Sequence, residues 1–470
     1  MKFNLLFKTI SLFMLNTSYL FTRAESINEC NEIKENWGNY VSQCINDSGK
    51  ASEITIKGGI TQDLINKLAT LSELDTLSFV YVPINDELNF RPLRNLTKLH
   101  SVSFDNEKRR EYDPFRVRNK LLKYFPNLTR LEFYHVIIGK SALDEIGSLT
   151  NLKSVEFYKT TFDEDATFHS FKLLSNLKYL VIESYNRTLK RVSTSLNYLT
   201  NLETLEIKAN GADVAFISHS TLENLQKLRT IDITNDVGLN LKRIGCLTNL
   251  VYLRLVCENT TSLPNNIGNL KKLKELSLYG NPIKTIPDTI GDLESLEDLY
   301  LADNQIESIP ESIGNLAKLK YLNLARNKIT SIPSSIGNLS NLQRLSLDGN
   351  QIEIIPDSLE NLEKLDHLSL ENNKIKVIPD SIGNLKKLDH LLLSSNEIES
   401  IPESIGNLES LQYISLSYNK VQSVPDSIGN LNNLQYVYLD HNNITSIPES
   451  LKNLSSIRVL NTSYNPIKSE

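Results

Sequence analysis

The apolar residues of this chain recur at fixed spacing through its second half. In the unit that begins at Leu270, leucine or isoleucine fills seven positions, and Leu276–Leu278 alternates apolar, polar, apolar. That alternation has the period of a β-strand whose leucines share one face. Pro287 cannot donate to a sheet but can begin a helical turn, which Gly291 is expected to end. Each unit is therefore predicted to hold a strand, a sharp bend at Asn281 and a return leg with a short turn.

The same unit repeats in tandem, so each copy can bury its leucines against the next. Ten units follow each other at 23-residue intervals and begin at Leu247, Leu270, Leu293, Leu316, Leu339, Leu362, Leu385, Leu408, Leu431 and Leu454. Seven looser units, spaced by 22 to 29 residues, begin near Leu71, Leu96, Phe125, Leu149, Leu174, Leu199 and Leu225. Stacking of these units predicts an α/β solenoid of about 17 repeats, with one continuous parallel sheet on its concave face.

One polar position is as regular as the leucines. An asparagine occupies the bend at Asn281, Asn304, Asn327, Asn350, Asn373, Asn396, Asn419, Asn442 and Asn465. A buried asparagine repeated at a bend is expected to hydrogen-bond the backbone of adjacent coils, because an unpaired buried polar group is unfavourable. Other residues mostly hold this position in the seven looser units, and looser coils are predicted there.

The repeated motif LxxLxxLxLxxNxIxxIPxSIGN resembles the leucine-rich repeat family in its 23-residue form, and it is most similar to Ras-suppressor-like and plant repeats. The resemblance covers roughly residues 71–470. It implies a curved, horseshoe-shaped solenoid with the strands on the concave face. It implies almost nothing about the ligand, because function depends on sites that differ between proteins of one fold. Residues 25–70 resemble the segment with which secreted members cap the first coil.

The N-terminus has the layout of a secretory signal peptide. Lys2 and Lys8 precede a short apolar stretch, and Thr22–Ala24 forms a small-residue cleavage site. An uncleaved anchor and a plain tail are the alternatives. The predicted domains are a signal peptide (1–24), an N-terminal cap (25–70), irregular repeats (71–246) and regular repeats (247–470). A secreted or surface location follows, with a cytoplasmic one as the alternative.

Cysteine usage agrees only in part with an oxidising compartment. Cys30 and Cys44 flank the single tryptophan and are predicted to form a disulfide, with two reduced thiols as the alternative. Cys246 and Cys257 are separated by a predicted strand, which places their Cα atoms too far apart to bridge. Both are expected to be free thiols.

Composition and motifs narrow the classes of function. A net charge of −6 and a pI near 5.8 make nucleic-acid binding a poor fit, and only the N-terminal stretch resembles a membrane segment. No HExxH, GxSxG or CxxC motif occurs, and Gly139–Ser141 lacks the preceding glycine of a phosphate loop. His367 and His390 lack a further ligand, so no metal site is predicted. The chain is predicted to be non-enzymatic and to use no cofactor.

The variable strand positions are where a binding surface can be encoded, since residues that alternate with the strand leucines point to the concave side. The first inner column holds Tyr252, Glu275, Asp298, Tyr321, Arg344, His367, His390, Tyr413 and Tyr436. The second inner column, two residues further along each strand, holds Arg254, Ser277, Tyr300, Asn323, Ser346, Ser369, Leu392, Ser415 and Tyr438. Residues of the second column, such as Ser369, are expected to be exposed.

Strands about 4.8 Å apart give an inner face roughly 80 Å long, which suits a large or extended partner. Tyrosine joins a large contact area to a hydroxyl group and is common at protein interfaces. The predicted ligand-binding residues are Tyr252, Arg254, Glu275, Tyr279, Asp298, Tyr300, Tyr321, Arg344, Tyr413, Tyr436 and Tyr438. The predicted partner is a protein or peptide of basic or mixed charge. A glycan-binding or cell-wall adhesin and an intracellular Ras-suppressor-like scaffold are the alternatives.

Whether the chain carries N-glycans depends on whether it is secreted. Sequons follow the predicted signal peptide at Asn46, Asn95, Asn127, Asn186, Asn259, Asn338, Asn443, Asn453 and Asn461. They can carry glycans only in a secreted chain. The last unit lacks its return leg, so we expect either a truncated sequence or an edge that a partner or a glycan covers.

Overall fold

The structure is a computed structural model, and it describes residues 28–84, 87–106, 116–117, 121–184, 195–209, 219–234, 241–256 and 260–467. Its α-helices are α1 (Glu29–Trp37), α2 (Gln62–Leu68), α3 (Lys140–Ser148), α4 (His219–Asn224) and α5 (Glu449–Lys452). Its strands are β1 (Val41–Asp47), β2 (Lys50–Lys57), β3 (Thr76–Val80), β4 (Ser101–Asp105), β5 (Arg116–Val117), β6 (Arg130–Tyr134), β7 (Ile137–Ile138), β8 (Ser154–Phe162), β9 (Tyr179–Ser184), β10 (Thr204–Ala209), β11 (Thr230–Thr234), β12 (Tyr252–Val256), β13 (Glu275–Ser277), β14 (Asp298–Tyr300), β15 (Tyr321–Asn323), β16 (Arg344–Ser346), β17 (His367–Ser369), β18 (His390–Leu392), β19 (Tyr413–Ser415), β20 (Tyr436–Tyr438) and β21 (Val459–Asn461). Short 3₁₀ helices fill the return legs at Arg91–Asn95, Leu122–Tyr124, His169–Leu173, Leu241–Cys246, Asn265–Asn269, Asp288–Asp292, Glu311–Asn315, Ser334–Asn338, Asp357–Asn361, Asp380–Asn384, Glu403–Asn407 and Asp426–Asn430.

Parallel strand pairing stacks the repeats in sequence order. β2 pairs antiparallel with β1 and parallel with β3, and the parallel ladder continues through β4, β6, β8 and every later strand to β21. β5 and β7 pair in a short second sheet with the end of β8. Each repeat predicted from the leucine spacing supplies one strand of the main sheet, and the repeated leucines form its buried core. The predicted solenoid is confirmed.

Two adjacent residues form each bend: one has a left-handed backbone conformation, and the asparagine that follows it makes the hydrogen bonds. The left-handed backbone lies one residue before the asparagine, for example at Gly280 with φ of 73°. The asparagine then ties coils together, because Asn304 Nδ2 donates to Leu278 O at 2.8 Å in the preceding coil and to Leu301 O at 3.0 Å in its own. Its Oδ1 accepts from the buried Ile283 N–H at 3.1 Å. The predicted structural role of the asparagines is confirmed, while the sharpest bend is displaced by one residue.

Gly291 lies inside the return-leg turn rather than after it. The 3₁₀ helix covers Asp288–Asp292 and begins after Pro287, so the prediction that Gly291 ends the turn is wrong. A Cβ at Gly291 would lie 2.3 Å from Ser312 O of the next coil. The glycine is therefore needed because neighbouring return legs approach too closely for a side chain.

A second row of asparagines holds the return legs together. Their side-chain amides donate to a backbone carbonyl of the preceding coil at Asn127, Asn151, Asn176, Asn201, Asn249, Asn341 and Asn433. This row is an addition to the predicted ladder of bend asparagines. Its signal is the recurrence of asparagine two residues after the leucine or phenylalanine that opens a unit.

Stacked phenylalanines support the irregular repeats. Phe79, Phe104, Phe133 and Phe157 occupy one inward position on successive strands, with ring centroids 5.2, 5.5 and 5.2 Å apart. The main-sheet strands there are five to nine residues long, compared with three in the regular repeats from β13 onward. The phenylalanine stack thus supports β3, β4, β6 and β8 where the asparagine ladder is missing. Four of the seven bend positions of this half lie outside the described residues, so the looser coils expected there stay a prediction.

The N-terminal segment closes the first coil. α1 and β1 are joined by the Cys30–Cys44 disulfide, whose Cα atoms are 5.5 Å apart. Cys246 is a free, half-buried thiol, whereas Cys257 and the predicted signal peptide lie outside the described residues. In the part of the chain that the structure describes, no helix is long and apolar enough to cross a membrane.

Candidate recognition surface

The two inner columns form continuous lines across the sheet. Residues of the first column pair directly from Tyr252 on β12 to Tyr436 on β20, one strand after another. The second column follows in the same register from Arg254 to Tyr438. Tyr279 lies two residues beyond the end of β13, next to the bend, and is 47% exposed. The structure thus places ten predicted residues in two lines and one at their margin.

Exposure differs between the columns. Tyr252 in the first column is 45% exposed, whereas Ser277, Ser369 and Ser415 in the second column are buried. The prediction that Ser369 is exposed is wrong. Its hydroxyl donates to Asp348 Oδ1, two residues after β16 of the preceding coil, and that oxygen also accepts from Glu371 N at 2.9 Å. Ser369 thus serves the scaffold, and the larger side chains of the columns form the accessible surface.

Glu275 and Asp298 form a pair of carboxylates on adjacent strands. Partial burial raises the pKa of Glu275, the neighbouring Asp298 charge raises it further, and Arg254 opposes that shift. Partial burial also raises the pKa of Asp298, with Glu297 adding to the effect and Lys320 opposing it. Neither carboxylate has a hydrogen bond or an ion pair among the described residues. We call these two residues the carboxylate pair, and they carry negative charge that no direct cationic partner balances.

Aromatic and cationic groups border the carboxylate pair. Tyr300 is half-buried, and burial together with Asp298 and Glu275 raises its pKa to about 12, so its hydroxyl remains a hydrogen-bond donor at neutral pH. The Arg344 guanidinium lies 5.4 Å from the centroid of the Tyr321 ring, in a cation–π contact. The surface therefore combines carboxylates that have no direct ion pair with the hydroxyl donor of Tyr300 and the aromatic ring of Tyr321.

A cluster of stacked rings occupies the later strands. His390 stacks on Tyr413 with centroids 5.5 Å apart, and Tyr413 contacts Tyr436 at 5.9 Å and Tyr438 at 5.3 Å. Burial and the neighbouring His390 lower the pKa of His367. We call these five residues the aromatic cluster. It offers apolar contact area together with tyrosine hydroxyl groups.

Two inner-face carboxylates of the irregular repeats, Glu156 and Asp232, are paired within the chain. Tyr158 Oη donates to Glu156 Oε2 at 2.6 Å, and Arg130 Nη2 lies 3.3 Å from Glu156 Oε1. Lys208 Nζ lies 3.1 Å from Asp232 Oδ2 on the next strand. These acids already have cationic or hydroxyl partners, so they have less to gain from an external cation than the carboxylate pair does.

A stack of three rings on the rim was missed by sequence reasoning. Tyr418, His441 and Tyr464 each precede a bend asparagine and hold left-handed φ angles of 55–56°. Their ring centroids are 4.1 and 4.2 Å apart. The signal is readable only when the position before the asparagine is compared between units.

Gly139–Ser141 forms the start of α3, with Gly139 just before the helix and Lys140 as its first residue. Among the described residues, no group of three or more His, Cys, Asp or Glu side chains could hold a metal ion.

Comparison with known proteins identifies related chains. A family model described as "Leucine-rich repeat region" matches residues 217–319, 307–396 and 382–469, which together span more than half of the chain. None of the curated proteins matches at a significant level.

Solved structures share this architecture. A leucine-rich repeat protein of Leptospira interrogans is 26% identical with a TM-score of 0.60, and the match covers 86% of this chain and 87% of that one. The plant peptide hormone receptor RGFR1, solved in complex with RGF2, is 25% identical with a TM-score of 0.65, covering 92% of this chain and 68% of that one. The Toll–Spätzle complex of Drosophila has a TM-score of 0.68 at 19% identity, covering 94% of this chain and 64% of that one, and it shows the fold alone.

Proposed function

This chain belongs to the leucine-rich repeat family, and we propose that it is a non-enzymatic recognition protein that binds a protein or peptide ligand on the inner face of its solenoid. The similarity to a plant receptor solved with a peptide hormone supports ligand binding of this general kind. The residues proposed to contact the ligand are the inner-column residues predicted above, with Tyr279 at the margin.

The carboxylate pair is the observation that carries this proposal. Glu275 and Asp298 repel each other on adjacent strands and have no direct ion pair among the described residues, whereas Glu156 and Asp232 of the irregular repeats are ion-paired. A lysine, an arginine or an N-terminal amine of a ligand would relieve that repulsion in a partly desolvated site. Tyr300 and Tyr321 would line the same binding site for this cationic group. The ligand is therefore proposed to present a cationic group to β13 and β14.

The aromatic cluster is proposed as a second contact region for the same ligand. Its ring faces partly cover one another, as in the stack of His390 on Tyr413. Stacked rings leave edges and hydroxyl groups exposed, which suits apolar and polar groups of a peptide better than the flat face of a sugar. This favours a protein or peptide over the glycan predicted as an alternative.

An extracellular location is proposed for the protein. The Cys30–Cys44 disulfide supports it, because disulfides persist in oxidising compartments. Residues 1–24 are proposed as a removable signal peptide, followed by the N-terminal cap (25–70), the irregular repeats (71–246) and the regular repeats (247–470). N-terminal sequencing of secreted material tests the cleavage: a mature chain that begins at Met1 would contradict it.

The binding proposal can be tested with a displayed library of random peptides selected on the full chain. Selected peptides should be enriched in lysine and arginine. The double variant Glu275→Gln with Asp298→Asn should weaken their binding about tenfold or more, because a few central residues usually carry most of the affinity. Alanine at Tyr300, Tyr321 and Arg344 together should have an effect of similar size.

The matched control carries the same loss of charge on the return legs. Glu403→Gln with Asp426→Asn replaces two exposed carboxylates outside the inner columns and should leave the affinity unchanged. If the control pair abolishes binding while the inner pair does not, the inner face is not the recognition surface. Selection of peptides without cationic residues would contradict the proposed role of the carboxylate pair.

A further inference from the structure

The sequons differ in what their asparagine side chains already do. Two of them, Asn186 and Asn259, lie outside the described residues. Among the others, some side-chain amides donate a hydrogen bond to another segment of the chain, and some have no hydrogen-bond partner among the described residues. This difference cannot be read from the Asn-x-Ser/Thr motif, which is identical in both groups.

Four sequon asparagines are exposed, and their side-chain amides have no hydrogen-bond partner within the part of the chain that the structure describes. Asn95 and Asn338 are the last residues of the 3₁₀ helices Arg91–Asn95 and Ser334–Asn338. Asn453 follows α5 at the same place in its repeat, and Asn443 lies on the rim two residues after the left-handed His441. All four therefore project from the return legs or the rim, and none lies in an inner column.

Two other sequon asparagines serve as structural links. Asn127 belongs to the second asparagine row and donates through Nδ2 to Thr97 O at 3.0 Å. Asn461 lies on β21 in line with Tyr438, and its Nδ2 donates to Asp440 Oδ1 at 2.9 Å. A glycan on either Nδ2 would leave that nitrogen a single N–H and place a bulky sugar at a contact between coils, and at Asn461 it would also stand on the inner face.

Asn46 lies in the cap and is tied in a similar way. Its Nδ2 donates to Asn28 Oδ1 at 2.8 Å, and the same oxygen caps α1 by accepting from Cys30 N at 3.0 Å. The side chain is nevertheless exposed, so it is an intermediate case.

We propose that Asn95, Asn338, Asn443 and Asn453 are N-glycosylation sites and that Asn127 and Asn461 are not. Transfer forms a bond between Nδ2 and the anomeric carbon of an oligosaccharide. The bond from that carbon to the diphosphate of a lipid-linked donor breaks, and one amide proton leaves with the diphosphate. Glycans at the four sites cover the return legs and the rim and leave the inner columns open to the ligand. This inference rests on the proposed extracellular location.

The test uses the full chain, secreted from a eukaryotic cell behind a heterologous signal peptide. Enzymatic release of N-glycans in heavy-oxygen water converts each occupied asparagine to labelled aspartate, which peptide mass spectrometry then locates. The label is expected at Asn95, Asn338, Asn443 and Asn453. It is expected to be absent at Asn127 and Asn461.

Sequon variants provide an independent measurement of the same sites. The variants expected to increase electrophoretic mobility by one glycan each are Thr97→Ala, Ser340→Ala, Thr445→Ala and Ser455→Ala. Thr129→Ala and Ser463→Ala remove the sequons of Asn127 and Asn461 and should leave the mobility unchanged.

The two proposals can fail separately. Full occupancy at Asn127 and Asn461, or no occupancy at the four exposed sites, would overturn the assignment of sites, because the heterologous signal guarantees entry to the secretory pathway. If the chain with its own residues 1–24 stays in the cytoplasm while the heterologous fusion shows the expected pattern, the proposed location is wrong and the assignment of acceptor sites stands.

Discussion

Asn350→Ala removes one member of the asparagine ladder from the middle of the regular repeats. Nδ2 of Asn350 donates to Leu324 O at 3.0 Å and to Leu347 O at 2.9 Å, and its Oδ1 accepts from Ile329 N at 3.0 Å. Each carbonyl also accepts from a second ladder asparagine and would keep that bond. The Ile329 N–H would lose its acceptor inside the core. A buried donor without a partner, together with the lost bonds, should lower the free energy of unfolding by about 2–3 kcal/mol.

The chain offers a matched control in Asn465. Its Nδ2 donates to Leu439 O at 2.8 Å and its Oδ1 accepts from Ile444 N at 2.9 Å, but the side chain is only half-buried, so water can replace these bonds. Asn465→Ala should therefore lower the free energy of unfolding by less than about 1 kcal/mol. Urea unfolding followed by circular dichroism measures both. Equal losses for the two variants, or a larger loss for Asn465→Ala, would refute the assignment of the effect to a buried unpaired donor.

Three further predictions follow from the described contacts. Cys44→Ala should destabilise the N-terminal cap by about 3 kcal/mol through loss of a short covalent loop, seen as faster amide exchange in β1 and β2 with unchanged exchange in the regular repeats. Burial raises the folded-state pKa of Glu275 and of Asp298, so the stability linked to these groups is present at low pH and is lost as pH rises through the raised values. The Glu275→Gln, Asp298→Asn variant should lose this dependence of stability on pH and should melt no lower than the parent at neutral pH. A lower melting temperature would show that the pair stabilises the fold. Ser369→Ala removes a buried hydrogen bond and should lower the free energy of unfolding by about 1 kcal/mol, whereas Ser346→Ala, whose hydroxyl has no partner among the described residues, should change it by less than about 0.5 kcal/mol in the same urea assay.

The repeat architecture could be predicted from the sequence because its determinants are local. The alternation across Leu276–Leu278 and the 23-residue interval define the strand, its buried face and the alignment of the inner columns. The role of the asparagines was also predictable, since a polar residue repeated at a bend must satisfy its amide with backbone groups. These inferences need only one repeat and the fact that it recurs.

Contacts between coils could not be predicted in the same way. Gly291 was interpreted as the end of a helical turn, because glycine has that role in many helices. In the structure it faces Ser312 O, which lies 21 positions further along the chain. The phenylalanine stack and the second row of asparagines are likewise contacts between successive coils, and their importance depends on how closely those coils approach.

The fold, the order of the strands and the residues that line the inner face can all be predicted from the sequence. Which of these residues are exposed and unpaired is seen only in the contacts between coils. Ser369 is buried against Asp348, and Glu156 is bonded to Tyr158, whereas Glu275 and Asp298 have no direct partner. The physical reason is that strand period fixes the direction of a side chain. Its burial, hydrogen bonds and charge balance depend on the side chains of the neighbouring coils, which the period leaves free to vary.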